Sequence, residues 1–109
     1  MSSDRFGYRV LCRYRPGGAT DRLEHRVRHL EYMIVWLPAT IFGGAILAED
    51  GEPLGMEVVL SVESRAEAER FVAGEPYCVA GIFRTVEIER VRIMTPPDDG
   101  GPLFRALAG

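Results

Sequence analysis

Cysteine is scarce in this chain. Cys12 and Cys78 are the only two among 109 residues. Neither has a visible activating neighbour for thiol chemistry, and nothing in their placement points to an oxidising compartment. Long hydrophobic runs are missing as well. The longest apolar-leaning stretch, Tyr32 to Leu47, is broken by Pro38 and Gly43-Gly44 and is too short to cross a bilayer. No charged segment leads into an apolar one at the N-terminus, so no signal peptide is expected. The expected setting is the cytoplasm, with no membrane partner. An excess of positive charge is also absent, since 13 basic against 16 acidic residues leave a net charge of −3. That balance argues against a general nucleic-acid binder, which needs a basic patch to displace counterions. His-x-His, Cys-x-x-Cys and His-Glu-x-x-His do not occur, and His25 and His29 have no obvious third ligand; no metal site is expected. No glycine-rich loop joins a strand to a helix as phosphate and dinucleotide sites require, so no cofactor is expected either.

What is present fits a globular protein. Apolar residues make up 47% and charged residues 27%, ordinary values for such a chain, and the length suits a single core. The reading is one domain over residues 1–109, with its core at about 7–94 and a tail at 95–109 that is loosely held or docks on a partner subunit. Residues 7–14 alternate as a strand, with Tyr8, Val10, Cys12 and Tyr14 on one face and Arg9, Leu11 and Arg13 on the other. Pro16-Gly17-Gly18 ends it, and a helix follows from about Thr20 to Trp36. Leu23, Val27, Leu30, Ile34 and Leu37 recur at helical spacing and read as its core stripe. Pro38 stops it.

Strands are expected at 41–48 and 55–62, joined through the 49–53 loop as a hairpin. Ser64-Arg65-Ala66-Glu67 has the form of a capping box, opening a second helix that turns Ala68, Phe71 and Val72 inward and ends at Gly74. The last strand, 82–94, slips in its alternation, because Val86 and Ile88 share one face while Val91 and Ile93 share the other. A bulge near Glu89-Arg90 is the expectation. The order β-α-β-β-α-β defines an α+β, ferredoxin-like antiparallel sheet with both helices on one face. With Tyr8, Val10, Cys12 and Tyr14 placed on the other face, that face is too apolar for water, and a second copy of the chain is expected to cover it.

The stretch Arg22-Leu23-Glu24-His25-Arg26-Val27-Arg28-His29-Leu30 carries the chemistry. On a helix, Arg22, Arg26 and His29 fall within roughly 60° of one another. Two planar guanidinium forks and a histidine, the usual acid–base residue at neutral pH, can hold a small anion and move a proton on it. His29 lies about 100° around from the middle of the aliphatic stripe and needs a carboxylate to orient it; Glu75 is the best placed. Arg22 and Arg26 read equally well as a solvated face. Tyr14 is either a donor to an oxyanion or an interface aromatic. Met33 and Trp36 continue the stripe as an apolar wall for a ring or as core. His25 reads as surface, and Tyr77 and Phe83 as packing.

These residues resemble the YciI-like (YCII-related) proteins of the dimeric α+β barrel group. The likeness lies in Arg15-Pro16-Gly17, Arg22-x3-Arg26-x2-His29-Leu30 with Tyr32-Met33, Ser64-x2-Glu67-Ala68-Glu69-x-Phe71 and Pro76-Tyr77-x2-Ala80-Gly81-Ile82, in order over roughly residues 7–94. It implies a small cytoplasmic homodimer whose cleft is lined by the histidine and a partnering acid; family members include dehydrochlorinase-type enzymes acting on hydroxylated aromatics. The chain departs from the family pattern at Tyr14 and Glu75, where the family usually has aspartate, and at Val27, where it usually has proline. It also lacks the usual Gly-Pro after the first helix. The expected function is cofactor-independent acid–base catalysis on a small cyclic or aromatic anion by isomerisation, cyclisation or loss of HX. In it His29 shuttles the proton, Glu75 orients His29, and Arg22 and Arg26 hold the anionic oxygen. The other expectation is a non-catalytic ligand-binding or dimeric interaction module, which the loss of an acid at Tyr14 favours.

Overall fold

Alternation along three strands sets where the core lies. In the computed structural model, which describes residues 5–95 and 101–109, the chain runs through β1 (Arg5–Tyr14), α1 (Gly18–Asp21), a 3-10 turn (Arg22–His25), α2 (Arg26–Trp36) and a second 3-10 turn (Leu37–Ala39). It continues through β2 (Thr40–Leu47), β3 (Pro53–Leu60), α3 (Arg65–Gly74), α4 (Pro76–Val79), β4 (Phe83–Ile93) and α5 (Gly101–Ala108). The strands pair antiparallel in the order β2-β3-β1-β4. The fold is the α+β, ferredoxin-like arrangement of the β-α-β-β-α-β order.

Val10 and Cys12 of β1 pair with Val58 and Met56 of β3, and Val10 also with Ile88 of β4. Val10, Cys12, Met56, Val58 and Leu60 form one buried cluster with Ala68 and Phe71 of α3, Tyr77 of α4 and Ile82. The apolar face of β1 is therefore the floor of the core, with Tyr8 and Tyr14 at its margins. This corrects the expectation that these residues face away from the helices. The opposite face carries charge, with Arg9 bonding Glu57 at 2.9 Å and approaching Glu89 at 3.5 Å. Charged pairs of this kind sit at a solvated face, where each contributes under about 1 kcal/mol.

The first helical segment differs from the expectation in two ways. It is not one helix from residue 20 to 36, because a 3-10 turn at Arg22–His25 divides it. Its aliphatic stripe also faces outward, and Leu23, Val27, Leu30, Ile34 and Leu37 are all exposed. The inward face is the neighbouring series His29, Tyr32, Met33 and Trp36, which share the i, i+3, i+4, i+7 spacing and are each partly buried. Tyr32 donates from its hydroxyl to the Phe71 carbonyl at 2.9 Å, tying α2 to α3. Trp36 meets the Phe71 ring edge-on at 5.2 Å. Two apolar stripes adjoin on α2, and the aromatic one wins because its rings and polar tips find partners on α3.

At α3 the cap forms as read, with Ser64 Oγ accepting from the Glu67 amide at 3.3 Å. Glu67 reaches back to the Glu63 amide at 3.1 Å. The bulge expected at Glu89-Arg90 is absent, since the β1–β4 register runs unbroken from Arg13↔Thr85 to Arg5↔Ile93 and shifts only between Arg13 and Tyr14. Val91 and Ile93 simply lie on the sheet face opposite to Val86 and Ile88. Of the tail, residues 96–100 lie outside the described residues; Leu103, Phe104 and Leu107 on α5 are exposed. Among the described residues no helix is long and apolar enough to cross a membrane.

Candidate functional site

Arg15 and the turn after it aim the first helical segment at the sheet. Gly17 takes a left-handed conformation at φ 80°, which the turn requires and glycine adopts without strain. Arg15 then ties its own turn to α1 and to the loop before β4, donating to the Pro16 carbonyl at 3.1 Å, to Asp21 at 2.8 Å and to the Gly81 carbonyl at 3.0 Å. The 3-10 turn that follows brings Arg22, and the start of α2 brings Arg26 and His29, to the rim of a cavity of about 280 Å3. Its other walls are Tyr14 of β1, Gly44, Ala45 and Leu47 of β2, Gly55, Met56 and Val58 of β3, and Tyr77 of α4. Among the described residues the lining holds two arginines and a histidine and no carboxylate.

The carboxylate stands directly behind the histidine. Glu75 is fully buried, the one charged residue type in the core among the described residues. Its Oε1 lies 2.5 Å from His29 Nδ1, and its Oε2 accepts from the Cys78 backbone amide at 3.0 Å. Local sequence explains the position: Glu75 is the N-cap of α4, and Pro76 at the first helical position supplies a preset φ. One side chain therefore caps α4 and orients His29. A carboxylate only accepts, so the hydrogen in this contact belongs to Nδ1 and the lone pair of the neutral ring lies on Nε2. The ring itself is clamped from one face by Tyr77, whose ring stacks on it at 3.9 Å and 8°.

The two phenols and the nearer thiol stay neutral. Burial raises Tyr14 above the ordinary phenol range against the lowering field of Arg22. Burial likewise raises Tyr77, opposed by Arg22 and Arg26 and by a hydrogen bond with Arg26. The Cys78 thiol is pushed far up by its hydrogen bond to Cys12, then by burial and by the nearby Glu75. It is no nucleophile at neutral pH.

The structure thus brings His29, Glu75, Arg22, Arg26 and Tyr14 together around one cavity. Met33 and Trp36 do not join them; both pack against the core, because the inward turn of α2 spends these side chains on α3. His25 sits apart, its Nδ1 2.9 Å from the Arg28 guanidinium. Tyr77, read as packing, lines the cavity. Its place next to Glu75-Pro76 was the only sequence signal for it.

A four-stranded ferredoxin-like sheet with a buried carboxylate–imidazole pair opening on a cation-lined cleft defines the class. The chain belongs to the YCII-related domain family, whose model matches residues 7–92. Its fold is similar to the solved structure of 5-chloro-2-hydroxyhydroquinone dehydrochlorinase (TftG) from Burkholderia phenoliruptrix AC1100 in complex with 2,5-dihydroxybenzoquinone. The two are 26% identical over 78% of this chain and 92% of that one, with a TM-score of 0.72. The NE2512 protein of unknown function from Nitrosomonas europaea is 15% identical over 86% and 93% of the two chains, with a TM-score of 0.54. A dimeric ferredoxin-like protein of unknown function from Thermobifida fusca is 12% identical over 85% and 94%, with a TM-score of 0.51. These two show the fold alone. No curated protein matches by sequence.

Proposed function

We propose that this chain is a cofactor-independent acid–base catalyst that removes HX from a small oxygenated ring compound, bound as an anion. The observation that carries the reading is the Glu75–His29 pair, with Glu75 buried behind a cavity that His29, Arg22 and Arg26 line. A ring bearing hydroxyl groups and a halogen is the substrate class. Neutral His29 takes a hydroxyl proton through Nε2 and returns it to the halogen-bearing carbon. It then takes a second hydroxyl proton as the C–X electron pair leaves with X. The products are a quinone, halide and one proton. Glu75 holds the imidazole in the tautomer that can do this. Arg22 and Arg26 bind the ring oxygen that becomes negative, and Met56 and Val58 of the sheet give the ring an apolar bed, with the exposed Leu30 at its rim. The similarity to TftG supports this substrate class at 26% identity. One positioned acid–base group supplies about 10²–10⁴-fold in rate, enough for an activated ring.

The same reading takes the working form as a homodimer. A second copy would cover the open sheet face, where Phe42, Val59, Val91 and Ile93 surround a depression of about 510 Å3 beside the Arg9–Glu57 pair. One preparation tests both parts. Light scattering should give twice the 12.1 kDa chain mass. Halide electrodes should read chloride release from 5-chloro-2-hydroxyhydroquinone, faster than the buffer reaction. A monomer contradicts the assembly, and chloride release at the buffer rate contradicts the substrate class.

A further inference from the structure

The Tyr77 ring is accounted for by its stack on His29, but its hydroxyl is not. Tyr77 is only 3% exposed, yet it lines the cavity. The Arg26 guanidinium lines the same cavity and favours the ionised phenol, against the effect of burial. An arginine only donates, so toward Arg26 the phenol oxygen can only accept, and its own hydrogen remains to be given. Among the described residues no acceptor takes that hydrogen. A cation donating to the oxygen polarises the O–H bond and strengthens it as a donor. Tyr14 lines the same cavity, stacked on Phe83 at 5.3 Å, with Arg22 in electrostatic reach of both phenols.

We propose that Tyr77 is a further catalytic residue, whose hydroxyl, held by Arg26, donates to the ring oxygen that gains negative charge, with Tyr14 as the second donor. The ligand class follows: a phenolate or enolate oxygen on a single ring, met by two neutral O–H groups backed by two guanidinium groups. The inference rests on the acid–base reading of the cavity and adds the group that stabilises the charge His29 creates. Their raised phenol ionisation keeps both tyrosines as donors through the neutral range. A preorganised donor of this kind is worth about 10²–10³ in rate.

Tyr77→Phe separates the hydroxyl from the ring, because phenylalanine keeps the stack on His29. The probe is 4-nitrophenol, whose ionised form absorbs at longer wavelength and so reports its own ionisation when bound. Wild type should bind the phenolate and lower the pH midpoint of the bound probe. Tyr77→Phe should bind it about tenfold more weakly, return about one pH unit of that shift, and keep the wild-type urea midpoint. Equal affinity and an equal midpoint in the two proteins would overturn the inference and leave the acid–base reading standing. A loss of affinity accompanied by a lower urea midpoint would also overturn it, making the hydroxyl a structural bond. A wild type that ignores nitrophenolate would remove the anion-binding cavity on which both rest.

Discussion

Glu75→Gln is expected to lose stability and turnover together, by about 1–3 kcal/mol and about 10²–10⁴-fold. Two donors converge on this buried side chain, His29 Nδ1–H on Oε1 and the Cys78 amide on Oε2. A carboxylate accepts from both, whereas an amide has one oxygen and one NH2. If the oxygen serves Cys78, the NH2 faces Nδ1 and drives the imidazole to the opposite tautomer, with its proton on Nε2. If the oxygen serves His29, the Cys78 amide of α4 loses its cap. The first arrangement removes the Nε2 lone pair on which the chemistry depends, and the second leaves one buried donor against another. Urea denaturation and the halide assay on the same variant read the two effects. A stable variant with wild-type turnover would mean that the pair is not what orients His29.

Gly55→Ala is expected to cost about 3 kcal/mol and to lower the melting temperature by roughly 10–20 °C. Gly55 lies in β3, paired with Arg13 of β1 and Ile46 of β2. A Cβ there would lie 1.9 Å from the Cys12 carbonyl oxygen and 3.0 Å from the Arg13 Cα. Both obstacles are backbone in the neighbouring strand, so no side chain can swing aside; β1 and β3 must part. Because Gly55 also walls the cavity, the shift would open the site as well. Calorimetry decides it. A melting temperature within a few degrees of wild type would show that the strands yield cheaply.

How much of this was legible in the sequence depends on the kind of signal. The alternation Met56, Val58, Leu60 and the Ser64 cap involve near neighbours, and both came out as read. The α2 face did not, because the aliphatic series from Leu23 to Leu37 and the aromatic series from His29 to Trp36 have the same period. Hydrophobicity favours the first, while only tertiary partners such as the Phe71 carbonyl select the second. The sheet face of β1 was misassigned for a related reason: alternation separates two faces without saying which one the helices cover. At β4, Val91 and Ile93 imitated a bulge because both faces of that strand carry apolar residues. His29 and Glu75 lie 46 residues apart, so their pairing was reachable only through chemistry and resemblance. The stack of Tyr77 on His29 is likewise a distant pairing that leaves no trace in any local pattern.

The central claim is that His29, held by Glu75, moves protons on an oxygenated ring in this cavity. Deuterium uptake tests it without requiring a leaving group. With 2,5-dihydroxybenzoquinone in D2O, proton NMR follows loss of the ring C–H signal in buffer, with wild type and with His29→Gln. Wild type should speed the exchange by about 10²–10⁴-fold, and His29→Gln should return it to the buffer rate. A wild type that binds the quinone and exchanges it no faster than buffer would contradict the account.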